Sequence, residues 1–340
     1  MPAVRICIPA FNAARTLGQT LESLVHQTYA NIRIAIVNNK SMDGTRDIAY
    51  SYKDRFNNID VLDFQEHVSG EENFTRCLKL SDGSFTALYH ADDLYSASIV
   101  ERQVSFLLQH PEVGVVFTSA DYIDENGAKI GFFRFPAEIA SKSIPIFDLR
   151  EVLKVVLRCG NFLPCPSAMA RSDIYRDEIR IWNGSRYDTS ADLDVWLRIL
   201  GKHKIGIINE PLLKYRVSKD SFSYRNARLR TKRHDLFRVL DDYAKMSRNL
   251  IDDRDMDNYL LLQREDDVLV RAMNMLFQNR RDDARQLLRS VFGTKELGIL
   301  MRTFRGWRIM VLALLTVILS VLPLGNNVRK FLYRLRFRSA

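Results

Sequence analysis

"SFTALYHADDLYS" (residues 84–96) is an apolar strand pattern that runs straight into acid. The stretch from Phe85 to Tyr89, broken only by Thr86, leads through His90 to two adjacent carboxylates, Asp92 and Asp93. Its length and composition predict a buried strand. Adjacent carboxylates repel each other, so the pair implies a bound cation, a helix cap or plain solvent exposure.

On either side of this stretch, strand and helix signals alternate over the first 120 residues, as in a parallel α/β sheet. "VRICI" is a short β-branched run, "PAFN" breaks it, and Asn12 is expected to cap the next helix. "IRIAIV" and "IDVLDF" read as further strands, and "ENFTRCLKL" as a short helix. "SIVE" (residues 98–101) has the form of a capping box. Ligand chemistry in such folds gathers at the C-terminal ends of strands, where "NNKSMDGT" and "HADD" both lie. Farther on, "DENG" is a turn and "PCPSAMARSD" a strand entering a helix. "SADLDVWLRIL" is a helix with an apolar stripe, and "KIGIINEPLLKYRV" reads as two strands around a Glu210–Pro211 turn. From about Asn226 to Phe304 the pattern is helical and highly charged, and "AMNMLFQNRRDDARQLLRSVF" suggests a helical hairpin.

Net charge is +9 over 340 residues, but residues 301–340 hold eight arginines and lysines and no acid, leaving +1 for the rest. The body is nearly neutral, so no nucleic-acid partner is expected. Basic charge beside an apolar run points to a membrane surface. That run, Ile309 to Leu324, is sixteen residues without a charge. At 1.5 Å per residue it reaches roughly 24 Å, short of a hydrocarbon core of roughly 30 Å. "NNVRKFLYRLRFRSA" then has helical apolar spacing with basic residues between, as in an interfacial helix. A buried core helix followed by a basic tail is the alternative. The opening "MPAVRICIPA" reads as a strand rather than a leader. Cys7, Cys77, Cys159 and Cys165 lack paired metal spacing and read as reduced, mostly core thiols of a cytosolic protein.

Dinucleotide, P-loop and zinc-protease motifs are absent. Four ordered stretches are similar to the inverting, nucleotide-sugar-dependent glycosyltransferases of family 2. They are "VRICIPAFNAARTLGQTLESLVHQTYANIRIAIVNNKSMDGT", "ENFTRCLKLSDGSFTALYHADD", "SADLDVWLRIL" and "EPLLKYRVSKDSFS". The resemblance covers about Val4 to Ser223. It implies a GT-A fold, a Rossmann-like, mostly parallel sheet flanked by helices. The expected division is a GT-A domain at residues 1–225, a helical extension at 226–304 and a membrane-anchoring segment at 305–340.

The resemblance also assigns residues. Asp92 matches the last Asp of the family's metal element and implies Mg²⁺ or Mn²⁺ bridging the donor diphosphate. His90 replaces that element's first Asp; it bonds the ribose, ligates the metal or only packs. Asp93 is left to cap or orient the following loop. Asp192 matches the catalytic base, with Ala191 where a second acid is usual, and the helix N-terminus is expected to keep its pKa low. Pro9, Ala10, Phe11, Asn38 and Arg76 match donor-binding positions, Asn38 replacing an Asp. Ser218 stands where many members carry a metal-side His. No Q-x-x-R-W string occurs, which points to addition of one sugar per acceptor. The implied partners are a UDP- or dTDP-sugar, a lipid-linked glycan and the cytoplasmic membrane face. The alternative is a degenerate member that binds nucleotide sugar without turnover and acts as a scaffold.

Overall fold

The computed structural model describes residues 1–218 and 230–322. Two compact units divide the chain, residues 1–152 with 161–219, and 153–160 with 220–340.

The first unit opens β1 (Val4–Ala10), α1 (Leu17–Val25), β2 (Ile32–Asn38), α2 (Thr45–Arg55), β3 (Ile59–Asp63), α3 (Gly70–Lys79) and β4 (Phe85–Leu88). β1 lies between β2 and β4, parallel to both, and β3 extends the sheet beyond β2. Ile6, Ile8, Ile34 and Ile36 are fully buried, as expected of strands covered on both faces. The order β3-β2-β1-β4 reverses direction at β1. A crevice therefore opens beyond the C-terminal ends of β1 and β4. Phe11 follows one of these strands and "HADD" the other.

Next come β5 (Leu94–Tyr95), α4 (Ile99–Gln109), β6 (Val113–Ile123), β7 (Lys129–Phe132), α5 (Ala137–Ala140), β8 (Ile146–Phe147) and α6 (Leu149–Cys159). β9 (Ala168–Arg171), α7 (Gly184–Tyr187), α8 (Ala191–Leu200) and β10 (Lys204–Arg216) follow. Beyond β4 the sheet is mixed rather than parallel. β9 runs antiparallel to both β4 and β6, while β10 is parallel to β6 and antiparallel to β5.

Three local expectations give way to tertiary partners. Asn12 does not cap α1: it sits at φ 48° and its side chain accepts from the Met42 N–H. Ser98 makes no cap hydrogen bond; its hydroxyl pairs with that of Ser96, and the Glu101 carboxylate accepts from the Thr28 hydroxyl instead. Glu210–Pro211 is no turn; β10 runs through it with register shifts at Pro211, since the loss of one N–H is absorbed as a bulge against β6. Capping boxes do form at Ser69 with Glu72, opening α3, and at Asp252 with Asp255 in the second unit.

The second unit contains α9 (Leu236–Met246), α10 (Asp253–Leu262), a π-type segment at residues 263–269, α11 (Val270–Phe277), α12 (Arg281–Leu288), α13 (Thr294–Leu300) and α14 (Phe304–Val321). α11 and α12 form the expected hairpin, turned at Asn279 with φ 62°. Leu261, Leu269, Ala272, Ala284, Leu288 and Leu300 share a core with Ile309 and Ala313 of α14. The apolar run near the C-terminus is thus part of this core along one face. The expected interfacial helix at residues 326–340 and the end of the closing stretch at 219–223 lie outside the described residues.

Candidate functional site

The acidic pair after β4 belongs to a three-residue cluster. His90, Asp92 and Asp93 each present a ligand atom, all within 4.8 Å of one another. Asp93 is 1% exposed, and burial, then the charge of Asp92, raises its pKa well above the usual carboxyl range. Burial lowers the His90 pKa, against the opposing pull of Asp92. His90 Nε2 and Asp93 Oδ2 are buried without hydrogen-bond partners. Unsatisfied buried polar atoms are costly, so these orphans beside a second carboxylate, that of Asp92, suit a cation. Asp93 thus stands with His90 and Asp92 in a group that could hold a metal ion.

Arg216, at the end of β10, holds this corner in place. Its N–H donates to Asp93 Oδ1 at 2.7 Å, and its Nε donates to the Asp92 carbonyl at 2.7 Å. Nη1 reaches the carbonyls of Asp124 and Glu125, and Nη2 reaches Gln19 Oε1. The Thr20 hydroxyl donates to the Asp93 carbonyl, and the His90 N–H donates to the Tyr95 hydroxyl at 2.7 Å. Phe74 packs against His90 and stacks on Trp182, with centroids 4.5 Å apart. Ser218 lies outside the cluster and donates to Glu125 Oε1 at 3.4 Å.

The nucleoside candidates gather at the ends of β1, β2 and β3. Phe11 is exposed and its ring centroid lies 4.4 Å from that of His67, a partner the sequence reading did not single out. Asn38 is buried and uses both ends of its amide internally: Nδ2 donates to Asp63 Oδ1 at 2.6 Å, and Oδ1 accepts from the Ser41 hydroxyl at 2.6 Å. It braces the loop after β2. Arg76 lies over Phe64 at 3.9 Å and donates to Asn39 Oδ1. Pro9 and Ala10 pair with Val37 and Asn38, and the Ala10 carbonyl accepts from the Asn39 N–H.

Asp192 stands in the first turn of α8 and accepts from Asn161 Nδ2 at 2.9 Å and from the Leu193 N–H at 2.8 Å. Burial outweighs these bonds and pushes its pKa up to about 6. The expected low value is therefore overturned: loss of solvation costs the carboxylate more than the helix end returns. A carboxylate of this kind is ionised at neutral pH yet basic enough to take a proton. Asp194, by contrast, is buried against Arg198 at 2.9 Å. Burial raises the thiol pKa of Cys165, and the charges of Asp192 and then Asp93 raise it further. The four cysteines are free thiols, with Cys7 and Cys77 buried and Cys159 exposed.

Residues 5–159 match the family model described as Glycosyl transferase family 2. Among curated proteins, the chain is 26% identical over 223 residues to WfgD of Escherichia coli, covering 65% of this chain and 79% of that one. WfgD is described as a UDP-Glc:alpha-D-GlcNAc-diphosphoundecaprenol beta-1,3-glucosyltransferase. Another relative, an uncharacterized glycosyltransferase of Rickettsia felis, is 26% identical over 65% of this chain, and the match spans only 35% of its own length. Among solved structures, S. aureus TarS with UDP-GlcNAc superposes at a TM-score of 0.62 and 15% identity, covering 98% of this chain and 91% of that one. The mannosyltransferase PcManGT of Pyrobaculum calidifontis, in complex with GDP-Man and Mn²⁺, superposes at 0.51 and 14% identity, covering 94% and 86%. These likenesses establish a GT-A-type fold.

Proposed function

From the premise that this chain carries a family 2 glycosyltransferase domain, we propose that it transfers one sugar, with inversion, from a nucleoside-diphosphate sugar to a lipid-linked glycan. The carrying observation is the cluster of His90, Asp92 and Asp93, whose ligand atoms all lie within 4.8 Å of one another, beside which the Asp192 carboxylate, pushed up to a pKa of about 6, supplies a base. Transfer to a hydroxyl needs a base for its proton and compensation for charge on the departing diphosphate.

Asp192 takes the acceptor proton, and Asn161 holds one of its oxygens in place. His90, Asp92 and Asp93 supply one nitrogen and carboxylate oxygens, a set that suits Mn²⁺ or Mg²⁺. A divalent cation held there would offset negative charge on the leaving nucleoside diphosphate. Phe11 and His67 offer aromatic faces for the base, and Arg76 a cation on the same side. WfgD's described donor supports a UDP-sugar here, with a dTDP-sugar as the near alternative. Nucleotide sugars and inner-leaflet lipid carriers place the reaction on the cytoplasmic face of the membrane.

The test is release of nucleoside diphosphate from a panel of UDP-, dTDP- and GDP-sugars with a lipid-linked acceptor and Mn²⁺, followed by the anomeric configuration of the product. Asp92→Asn should abolish turnover and most cation-dependent donor binding, and His90→Ala should weaken donor binding less. Undiminished turnover of Asp92→Asn would sink the metal assignment. A donor that stabilises the chain thermally without release on any acceptor would favour the scaffold reading instead.

A further inference from the structure

Helix α14 has two unlike faces. Gly306, Ile309, Ala313, Thr316 and Ser320 are buried, at the helical spacing of a single stripe. A Cβ at Gly306 would lie 2.0 Å from the Leu300 carbonyl oxygen, so the backbones approach closely. The Thr316 and Ser320 hydroxyls donate to the helix's own carbonyls, which leaves this face free to pack. Opposite, Trp307, Val311, Leu314, Leu315, Ile318 and Leu322 are each 45–54% exposed. Contiguous exposed apolar surface of this size marks a contact site.

Charge says what covers it. Residues 301–340 carry eight positive side chains and no negative one. A second copy would carry the same excess of positive charge in this part of its sequence, whereas a bilayer with anionic lipid is complementary. We propose that α14 is an in-plane membrane helix, docked on the extension through its small-residue face and set into one anionic leaflet by its large apolar face. A transmembrane course is opposed by the docking itself. Crossing would strip Ile309 and Ala313 from the core they share with Ala284 and Leu288, or draw α12, with Asp282 and Asp283, into hydrocarbon. The eighteen residues also reach only about 27 Å, against a hydrocarbon core of about 30 Å. The inference needs no transfer activity, so it stands or falls apart from the proposed reaction.

Flotation of the full chain with vesicles tests it, using phosphatidylcholine alone or mixed with phosphatidylglycerol. The chain should float with the mixed vesicles, less so as salt rises. Leu314→Glu combined with Ile318→Glu should lower the bound fraction by about tenfold or more with an unchanged melting curve, because both side chains are exposed. Depth is read by Leu315→Trp with brominated lipids: bromines near the headgroup should quench it more than bromines near the chain ends. Stronger quenching from the deep bromines would establish a span and overturn the proposal. So would equal flotation of the double variant, or a chain that stays unbound as a dimer, which would give the stripe to a second copy.

Discussion

Asp192 is expensive to keep ionised, and that cost is measurable. Burial raises its pKa to about 6 from 3.8, so the folded state binds its proton more tightly than the unfolded state does. Stability from this group is present at low pH and is lost as pH rises through about 6. Asp192→Asn removes the charge, so at pH 7 the variant should be more stable by about 1–2 kcal/mol, with a raised Tm. It should also lose kcat by about 10²–10⁴-fold with donor binding nearly intact. In the parent chain kcat/KM should fall below pH 6 as Asp192 protonates; a profile flat through that range would remove it as the base. Arg216 predicts a different pattern. Arg216→Lys keeps the backbone bond to Asp93 but loses the fork that holds the Asp92 carbonyl and the 124–125 turn. The Mn²⁺ concentration needed for half-maximal activity should rise severalfold, and saturating Mn²⁺ should recover most of the rate. A loss independent of metal concentration would mark the residue as structural only.

At the scale of elements, Gly306 is the tightest joint described. Gly306→Ala must push α14 away from Leu300, since the new methyl would meet backbone rather than a flexible side chain. A loss of about 1–3 kcal/mol is expected, read as a lower Tm and faster proteolysis within residues 253–322. The elements themselves were largely legible: β1, β2, β4 and α8 announce themselves as apolar runs or stripes, and their order gives the crevice. Asp92 and Asp192 were legible because acids at the end of a buried strand or the start of a helix stand out. What escaped depended on distant partners. Asn12, Ser98 and Pro211 carry strong local signals that Met42, Thr28 and β6 override. Arg216 gave no signal because its bond partner lies 123 residues earlier. Phe74, Trp182 and His67 looked like ordinary core or loop residues until the fold brought them to His90 and Phe11.

For the whole molecule, the two units set different rules for truncation. A cut before residue 301 would strip Ile309 and Ala313 from the core around Leu288 and Leu300. The truncated chain should therefore show early hydrogen exchange in α11 to α13, with the sheet unit still protected. Protection unchanged in those helices would show that α14 contributes nothing to them. The clasp at Arg216 also has a consequence in time. The acidic corner is synthesised by residue 93, yet the backbone that grips Asp93 arrives 123 residues later. At about 5–20 residues per second, a nascent chain spends roughly 6–25 s with its acidic corner made but unclasped. Until β10 leaves the ribosome, the acidic corner of the growing polypeptide has partners in Thr20 and Tyr95 but lacks the fork of Arg216 that ties it to the 124–125 turn.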